Sequence, residues 1–432
     1  MARGPSLSGF LERVGFEDAG SLSPEFGVSA RLYETQGRGV PQVFRVEGYP
    51  GVSAGNVVAS RRLLLEAVGA GSDVEAYRLL AASLRDAAPG EVEGTPGGLS
   101  RAEGGLEEVP FARFYEGEGG PYVTSSIFVA CSGGACNASI HRLMRLGRWE
   151  AVARLVPRHL YHMYREARRR GEDLPVSIVV GVHPAVLLAA ASSPPLGVFE
   201  VDVARRLAPG LRVVESPLHG NPVPYPFSVL IEARLTGELV EEGPFVDATG
   251  TLDRVRRQPL VKVEAVYRLD GEPFHIILPA GMEHANLMGF PREAQIWESV
   301  SRVVPRVAAV RLTPASGGWL HAVIALEKNV DGDAKNAIMA AFAAHPSLKH
   351  VVVVDTDIDV DDPAQVEWAI ATRFQANRDL VVIHGARGSS LDPSAEDSLT
   401  SKVGVDATAP LGAGEKFRRA RIPGVHRRGP GG

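Results

Sequence analysis

The segment CSGGACNASIHRLMR, residues 131–145, carries more chemically useful side chains than its neighbours. It follows an apolar, β-branched run over residues 122–130, which predicts a strand. The glycine pair at 133–134 allows a backbone to approach a ligand closely. Asn137 is a natural N-cap for a short basic helix, and the free N–H groups at such a helix start favour an anion, typically a phosphate. Arg142, five residues on, would point in another direction and hold a carboxylate; a capped surface helix with solvated arginines is the alternative.

A second candidate is the pair of carboxylates in EGPFVD, Glu242 and Asp247. Residues five apart on a straight strand face opposite ways. A turn at Gly243-Pro244 would bring both carboxylates to one site. Paired carboxylates near an arginine are typical of proton transfer with shifted pKa values. A solvated acidic turn is the alternative interpretation of this segment.

Two further side chains, His159 and Glu200, are candidate metal ligands. With Asn137 they give a mixed set of oxygen and nitrogen donors, which suits Mn²⁺ or Mg²⁺ better than structural zinc. A lone histidine on a helix is more often a structural group, so spacing alone does not establish this site.

Several other chemistries lack their motif. Cys131 and Cys136 are spaced too widely for one half of a zinc site and have no second pair, so we predict two free thiols, buried or half-buried.

The acidic run at 355–362 lacks the glycine and the final glutamate of a calcium loop, and predicts a turn that caps a helix beginning near Pro363. No Walker P-loop, G-x-G-x-x-G motif or nucleophile elbow supports ATP, dinucleotide or serine-hydrolase chemistry.

The composition is that of a globular protein: 45% of the 432 residues are hydrophobic and 22% are charged. This length predicts two or three domains. The net charge of -5 gives no general reason to expect nucleic-acid binding. The sequence contains neither the apolar core of a signal peptide nor an apolar run long enough to span a bilayer, which predicts a cytoplasmic protein. Arginine supplies nearly all the positive charge, from either a hot habitat or a GC-rich genome.

The elements that must position these residues divide the chain into four parts. We predict an N-terminal α/β unit at 1–105, a strand-rich central domain at 106–300 and a C-terminal α/β domain at 301–411. A basic Gly/Pro-rich tail at 412–432 would be ordered only by contacts. In the first part we expect helices at 10–14, 60–68 and 74–88, a strand at 40–46 and a linker at 89–105.

The central part predicts a β-barrel or a strongly curved sheet. Strands are expected at 176–182, 211–215, 227–235, 260–269 and 274–278. One long helix is expected over 149–170, which Pro157 would either kink or divide. After Pro291, helix and strand alternate as in a separate α/β domain. Helices are expected there at 293–304, 333–344 and 366–374, and strands at 307–312, 321–326, 350–355 and 380–384.

Taken together, several motifs resemble the UbiD decarboxylases in their order along the chain. The segments that carry the likeness are NASIHR at 137–142, PRH at 157–159, the segment around Glu200, EGPFVD at 242–247, KHVVVVDTDID at 349–359, VEWAIATR at 366–373 and KVGVDAT at 402–408. The likeness covers about residues 121–410 and is weak over the first hundred residues. It implies an α/β (α+β) fold with a central split β-barrel that binds flavin, and a C-terminal α/β domain that helps to build a homodimer or larger homo-oligomer.

The same resemblance implies a reversible, non-oxidative decarboxylase of carboxylic acids that uses prenylated FMN, supplied by a flavin prenyltransferase. Asn137, His159 and Glu200 would bind the Mn²⁺ that clamps the cofactor phosphate, and Lys402 would also reach that phosphate. Ser192 would belong to a neighbouring monovalent-ion site, for K⁺. The remaining cofactor contacts would be Ala138, Ser139, Ile140, His141, Arg142 and Arg158.

Arg142, Glu242 and Asp247 match the catalytic arginine and two acids of the family. One departure is Asp247, because the best-known members have a glutamate there, longer by one methylene. The features are similar to those of the archaeal branch that converts trans-anhydromevalonate 5-phosphate into isopentenyl phosphate. Decarboxylation of polyprenyl-4-hydroxybenzoate or another aromatic acid is the main alternative, and an inactive flavin-binding subunit is a third. For a substrate phosphate, the nearest polar candidates are His141, His284 and Asn286.

Overall fold

The computed structural model describes residues 4–420, which form two compact units. The first unit is drawn from Met1–Gly71 and Ala82–Leu287, and the second from Ser72–Ala81 and Met288–Gly432. Within the described residues, no helix is both long enough and apolar enough to cross a membrane. The predicted boundary at 105 falls inside the first unit, so the division of that unit into two domains stays a prediction.

Helices and strands account for most of residues 4–420. The α-helices are α1 (Leu7–Val14), α2 (Gly27–Thr35), α3 (Arg61–Val68), α4 (Asp73–Asp86), α5 (His159–Arg169), α6 (Pro184–Ser192), α7 (Glu200–Leu207), α8 (Met282–Ser301), α9 (Asp333–Ala344), α10 (Pro363–Arg373) and α11 (Ala376–Asp379). The strands up to the end of the first unit are β1 (Glu17–Leu22), β2 (Gln42–Val46), β3 (Ser53–Gly55), β4 (Leu99–Arg101), β5 (Tyr122–Val123), β6 (Ile127–Ser132), β7 (Ala135–Ile140), β8 (Leu143–Arg145), β9 (Glu150–Ala153), β10 (Leu174–Val180), β11 (Arg212–Glu215), β12 (Pro222–Tyr225), β13 (Val229–Glu242), β14 (Phe245–Val246), β15 (Leu252–Asp253), β16 (Arg256–Leu269) and β17 (Phe274–His275). The later strands are β18 (Val307–Leu312), β19 (His321–Leu326), β20 (His350–Asp355), β21 (Leu380–Arg387) and β22 (Leu399–Ala407).

A nine-stranded sheet dominates the first unit, in the order β5-β8-β9-β16-β13-β10-β6-β7, with β4 added beside β16. Its interior is filled by apolar side chains from β6, β10, β13 and β16 together with the inner face of α5. Register shifts between β13 and β16 bend the sheet. The richness in strands predicted for the central part is therefore observed, and a smaller sheet, β1-β2-β3-β17, lies in the same unit.

Strands β13 and β16 extend well beyond the predicted ranges. The extension of β13 is charged rather than apolar, so an apolar pattern could not reveal it. Glu241 lies opposite Arg257 and Glu242 lies opposite Arg256. Opposite charges on facing strand positions stabilise such a pair. The two strands thus continue together as far as the candidate acids.

The helix predicted after Asn137 is wrong, because β6 and β7 form a hairpin. Gly133 and Gly134, with φ of 60° and 81°, make its two-residue turn. Cys131 lies opposite Cys136 in the ladder, and the two form a disulfide with Cα atoms 4.1 Å apart. The prediction of two free thiols is therefore also wrong. Two residues five apart, too far apart for one half of a zinc site, face each other when a two-residue turn separates their strands.

The long helix predicted over 149–170 is also wrong in its first half. Residues 150–153 form β9, and α5 begins at His159, just after Pro157. Proline has no N–H and its ring clashes with the preceding helical turn, so it disrupts the interior of a helix. Here Pro157 lies two residues before α5. Four helices were not predicted: α2, α6, α7 and the short α11. Nearly every residue of α6 is buried, so α6 lacks the one-sided pattern that reveals a helix in sequence.

The second unit contains a five-stranded sheet in the order β18-β19-β20-β22-β21 together with α9 and α10, so the alternation of helix and strand predicted after Pro291 is observed. The predicted bounds of a domain at 301–411 stay a prediction. Apolar clusters cover both faces of the sheet. The acidic run is structural as predicted: Asp362 caps α10 by accepting from the N–H of Ala364, and Asp355 and Asp357 bind Arg373. Helix α8 begins at Met282 rather than at 293 and includes Pro291, so packing overrides the helix-breaking tendency of proline.

Only part of the predicted tail lies within the described residues. A short 3₁₀ helix forms at Gly414–Phe417, and the Arg419 guanidinium lies 4.3 Å from the centre of the Trp368 ring. Residues 421–432 lie outside the described part of the chain. The contact of Arg419 agrees with a segment ordered through contacts.

Candidate active site

A close approach of two backbone segments shapes the turn after β13. Gly243 has a φ of +95°, which favours glycine. A side chain on Gly119 would place its Cβ 2.0 Å from the carbonyl oxygen of Gly243, so this position also requires glycine. The Gly119 N–H donates to the Pro244 carbonyl at 2.9 Å. The chain therefore reverses tightly into the hairpin β14–β15, whose loop begins with Asp247.

Arg142 and Glu242 form a bidentate ion pair. Nε of the arginine lies 2.7 Å from Oε1 of Glu242, and NH2 lies 2.8 Å from Oε2. Glu242 is fully buried and also accepts from the Tyr122 hydroxyl at 3.3 Å. The Phe245 ring lies under the guanidinium, 4.6 Å from it. Burial alone would lower the pKa of Arg142, but Glu242 raises it, so the arginine stays charged.

Asp247 is held much more loosely beside the same arginine. Its Oδ1 lies 3.8 Å from NH1 of Arg142, and 28% of its side chain is exposed. Burial raises the pKa of Asp247, and the charge of Asp253 adds to this, while Arg142 and two further arginines oppose it. The structure therefore places Glu242 and Asp247 at the same arginine. The two acids differ, since Glu242 is buried in a bidentate pair with the arginine, whereas Asp247 is partly exposed and lies farther from it.

Three charged residues beside this group were not predicted: Arg154, Asp253 and Arg256. Asp253 Oδ2 lies 2.9 Å from NH1 of Arg154 and 3.5 Å from NH2 of Arg142, and it also accepts from Arg256. The only sequence signal was the charge-rich run DRVRR at 253–257, which reads as an ordinary polar turn.

The candidate metal ligands Asn137 and Glu200 lie together. The Asn137 amide donates to Oε1 of Glu200 at 2.7 Å, and the N–H of Ala138 donates to Oε2 at 2.7 Å. Glu200 is 2% exposed, and within residues 4–420 no cation pairs with it. Burial raises its pKa to about 7, because its partners are neutral donors. A divalent cation would supply the missing positive charge, so the donor set fits such an ion.

The other predicted cofactor residues lie on three elements. His159 is half-buried at the start of α5, and Arg158 just before it donates to Ser193 at 3.1 Å. Ser192, at the end of α6, is buried and donates to the Ala189 carbonyl. Ser139 and Ile140 are half-buried on β7, where the Ser139 hydroxyl donates to Oδ1 of Asn137 at 3.0 Å.

Lys402 lies on β22 in the second unit. Its Nζ donates to the carbonyl oxygens of Pro346 and Leu348 at 2.6 and 2.5 Å. Burial lowers its pKa. Its predicted role at the cofactor phosphate stays a prediction.

The three residues named for a substrate phosphate offer no positive charge at neutral pH. Burial lowers the pKa of His141 and of His284 to about 4, so both imidazoles are neutral. The ring nitrogens of His141 bond to the Ser139 hydroxyl and the Arg154 carbonyl at 2.9 and 2.8 Å. The amide of Asn286 donates to the Val58 carbonyl.

Two protein-family models match most of the chain. The Rift-related domain of 3-octaprenyl-4-hydroxybenzoate carboxy-lyase matches residues 94–282, and the C-terminal domain of the same carboxy-lyase matches residues 285–407.

Similar sequences extend over nearly the whole length. The anhydromevalonate phosphate decarboxylase of Aeropyrum pernix is 59% identical over 422 residues, which cover 97% of this chain and 96% of that one. The anhydromevalonate phosphate decarboxylase of Methanothermobacter thermautotrophicus is 47% identical over 331 residues, covering 75% and 78%.

Solved structures show the same likeness. The UbiD-class enzyme HmfF of Pelotomaculum thermopropionicum, in complex with FMN, superposes with a TM-score of 0.91 at 36% identity, covering 97% of both chains. An evolved dimeric form of HmfF in complex with prFMN gives a TM-score of 0.88 at 33% identity, again covering 97% of both.

Proposed function

The chain belongs to the UbiD family of carboxy-lyases, and from that membership we propose that it decarboxylates trans-anhydromevalonate 5-phosphate to isopentenyl phosphate with prenylated FMN as cofactor. The observation that carries this proposal is the set of one arginine and two acids, in which Arg142 is locked to Glu242 and faces the looser Asp247. The near full-length likeness to archaeal enzymes named for that substrate supports the choice of acid.

The cofactor would be held at the segment that contains Asn137 and Glu200. Asn137, His159 and Glu200 would bind Mn²⁺, and the ion would offset the negative charge of the cofactor phosphate. Ser192 would contribute to a neighbouring K⁺ site. When bound, prenylated FMN supplies an electron sink for the electron pair left by departing CO₂.

The protein's own residues would orient the acid and move a proton. Arg142, a planar fork of fixed charge, can grip the substrate carboxylate in two places. Glu242 keeps the arginine in place, since both of its oxygens bind the guanidinium. After the bond between carbon and the carboxylate breaks, Asp247 would deliver its proton to that carbon. Its partial exposure allows solvent to return the proton for the next turnover.

The two histidines named for the substrate phosphate, His141 and His284, are neutral, and this limits how they can bind it. His284 and His141 can contribute hydrogen bonds but no charge at neutral pH, because their pKa values lie at about 4. Any positive charge facing the phosphate would therefore come from groups other than these two imidazoles. The contacts of His141, His284 and Asn286 with that phosphate stay part of the proposal.

A second candidate function is decarboxylation of an aromatic acid. The observation that favours it is the likeness to the gallate decarboxylase of Lactiplantibacillus plantarum, which is 28% identical over 340 residues. An inactive flavin-binding subunit is disfavoured by the complete set of Arg142, Glu242 and Asp247. We further propose a cytoplasmic homodimer or larger homo-oligomer that receives its flavin from a prenyltransferase; the dimeric form of HmfF supports this assembly.

The test is made on protein co-expressed with a flavin prenyltransferase. Mass spectrometry of the released flavin should show prenylated FMN, and the loaded protein should release CO₂ from trans-anhydromevalonate 5-phosphate. Hydroxybenzoate and cinnamate, assayed in parallel, should not be turned over. Turnover of an aromatic acid, with none of the phosphorylated acid, would favour the second function.

A further inference from the structure

One oxygen atom of Asp253 gathers three arginines from different parts of the first unit. Arg142 follows β7, Arg154 follows β9, and Arg256 begins β16. All three guanidinium groups reach Oδ2 of Asp253. A carboxylate that binds three separate elements fixes their mutual positions more firmly than a single surface ion pair does.

Asp253 also belongs to the hairpin that carries Asp247. It is the last residue of β15 and lies opposite Phe245 of β14, the residue whose ring lies under Arg142. The hairpin therefore contacts Arg142 twice, through the Phe245 ring and through the Asp253 carboxylate. Asp247, in the loop of this hairpin, is placed at the arginine by these two contacts.

Burial separates this cluster from ordinary surface ion pairs. Only 10% of the Asp253 side chain and 9% of the Arg142 side chain are exposed, and the exposed fractions of Arg154 and Arg256 are 19% and 22%. Exposed ion pairs contribute little to stability, because water screens the two charges. Removing one partner of a buried pair costs more, because the other charges stay buried without compensation.

We propose that Asp253 is a positioning residue for the decarboxylation: it holds the hairpin that carries Asp247 against Arg142 and neutralises Arg154 and Arg256 beside it. This inference rests on the proposed function, in which Asp247 is the proton donor. Asp253 itself touches no reacting atom.

The charges that face Asp247 give the proposal a measurable consequence. Arg142, Arg154 and Arg256 lower the pKa of Asp247, whereas burial and Asp253 raise it. Without the charge of Asp253, three arginines act on Asp247 with less opposition, so its pKa falls. A proton donor must be protonated to act, so the rate declines as pH rises through that pKa. This alkaline decline therefore moves to lower pH when Asp253 becomes neutral.

The experiment compares Asp253→Asn, Asp253→Glu and a control, Asp173→Asn. Asp173 pairs with Arg168 at a half-exposed site, so its loss tests the same chemical change elsewhere. We expect Asp253→Asn to lower kcat by about 10- to 100-fold through misplacement of Asp247, and to move the alkaline decline to lower pH. Asp253→Glu keeps the charge with an altered reach, so it should lower kcat but leave the decline at its wild-type pH. The control should match wild type.

A second measurement does not depend on turnover. Isotope-edited infrared difference spectra, each protein against its own Asp247→Asn derivative, report the titration of the Asp247 carboxyl directly. An Asp247 signal that titrates at lower pH in Asp253→Asn than in Asp253→Glu supports the proposal even if no tested acid is a substrate, in which case only the proposed function fails. If Asp253→Asn does not fold, an Asp253→Glu protein with wild-type kcat overturns the proposal. Unchanged titration and kcat in a folded Asp253→Asn protein also overturn it.

Discussion

At the residue scale, the two carboxylates beside Arg142 differ in burial and in how closely they bind it. Both oxygens of Glu242 bind Arg142 in a fully buried site, whereas Asp247 stands 3.8 Å away and is partly exposed. A carboxylate that gives up its proton must lose and regain it easily, which suits Asp247. Glu242 occupies the Nε and NH2 edge of the guanidinium, which leaves NH1 as the nitrogen nearest to Asp247.

The first prediction concerns this division of roles. Asp247→Asn keeps the shape of the side chain but has no proton to give, so we expect normal flavin content with turnover reduced about 10²–10⁴-fold. Exchange of substrate hydrogen for deuterium should fall in parallel. Glu242→Gln is the comparison, because it weakens the hold on Arg142 instead. An Asp247→Asn protein with near wild-type turnover beside an inactive Glu242→Gln protein would assign the proton to the other acid.

At the scale of elements, the hairpin β6–β7 shows what sequence reasoning can and cannot provide. Residue types identified Asn137 and Arg142 as functional candidates, and the structure places Asn137 at Glu200 and Arg142 between the two acids. The element was predicted wrongly, because a polar residue after two glycines is typical both of a helix start and of a hairpin. Only the pairing of β7 with β6 distinguishes them, and that pairing is a contact between strands.

The same limit applies to the neighbouring elements. Apolar runs located β10, β19 and β20, since those strands are buried on both faces, whereas β22 was not predicted. The charged end of β13 was missed, because its Glu241 and Glu242 lie opposite Arg257 and Arg256 of β16, a partner strand that a local pattern does not contain. Asp253 was missed for a similar reason: its three arginines come from distant positions in the chain.

The second prediction tests the disulfide that closes this hairpin. Cys131 and Cys136 are five residues apart, and a loop this short contributes about 2 kcal/mol to the free energy of unfolding in the chain-entropy description. We expect the free energy of unfolding of the double variant Cys131→Ser, Cys136→Ser, measured by denaturant titration, to be lower by about 2 kcal/mol. Wild-type protein with a reductant is the control and should behave alike. Equal stability of variant and oxidised wild type, with the disulfide verified by mass, contradicts the prediction.

At the scale of the whole molecule, one edge of the five-stranded sheet in the second unit supports the proposed homo-oligomer. Strand β21 forms one edge of the five-stranded sheet, and the exposed fractions of its Leu380, Val382 and Ile383 side chains are 39%, 42% and 37%. An exposed apolar edge strand is a template for pairing with another chain. This edge therefore supports the proposal of a homo-oligomer.

The third prediction follows from that edge. Ile383→Glu places a charge on it and should convert the oligomer to a monomer in sedimentation velocity, with the fold retained by circular dichroism. Met339→Glu is the matched control, because Met339 is 53% exposed on α9 of the same unit, away from the edge strand. An Ile383→Glu protein that sediments like wild type rules out β21 as the contact.

The proposed binding of Mn²⁺ at Glu200 requires this buried carboxyl to lose its proton. Without a cation its pKa is about 7, so near neutrality a large part of the protein carries a proton there. A metal ion binds only the deprotonated ligand. Titration of flavin-free protein with Mn²⁺ at pH 7 should therefore release a fraction of a proton per ion, visible as a calorimetric heat that depends on the buffer. Glu200→Gln should abolish this release and lose metal and flavin together. Below pH 7 the affinity for Mn²⁺ should fall steadily, so acidification would unload the enzyme while its fold remains intact.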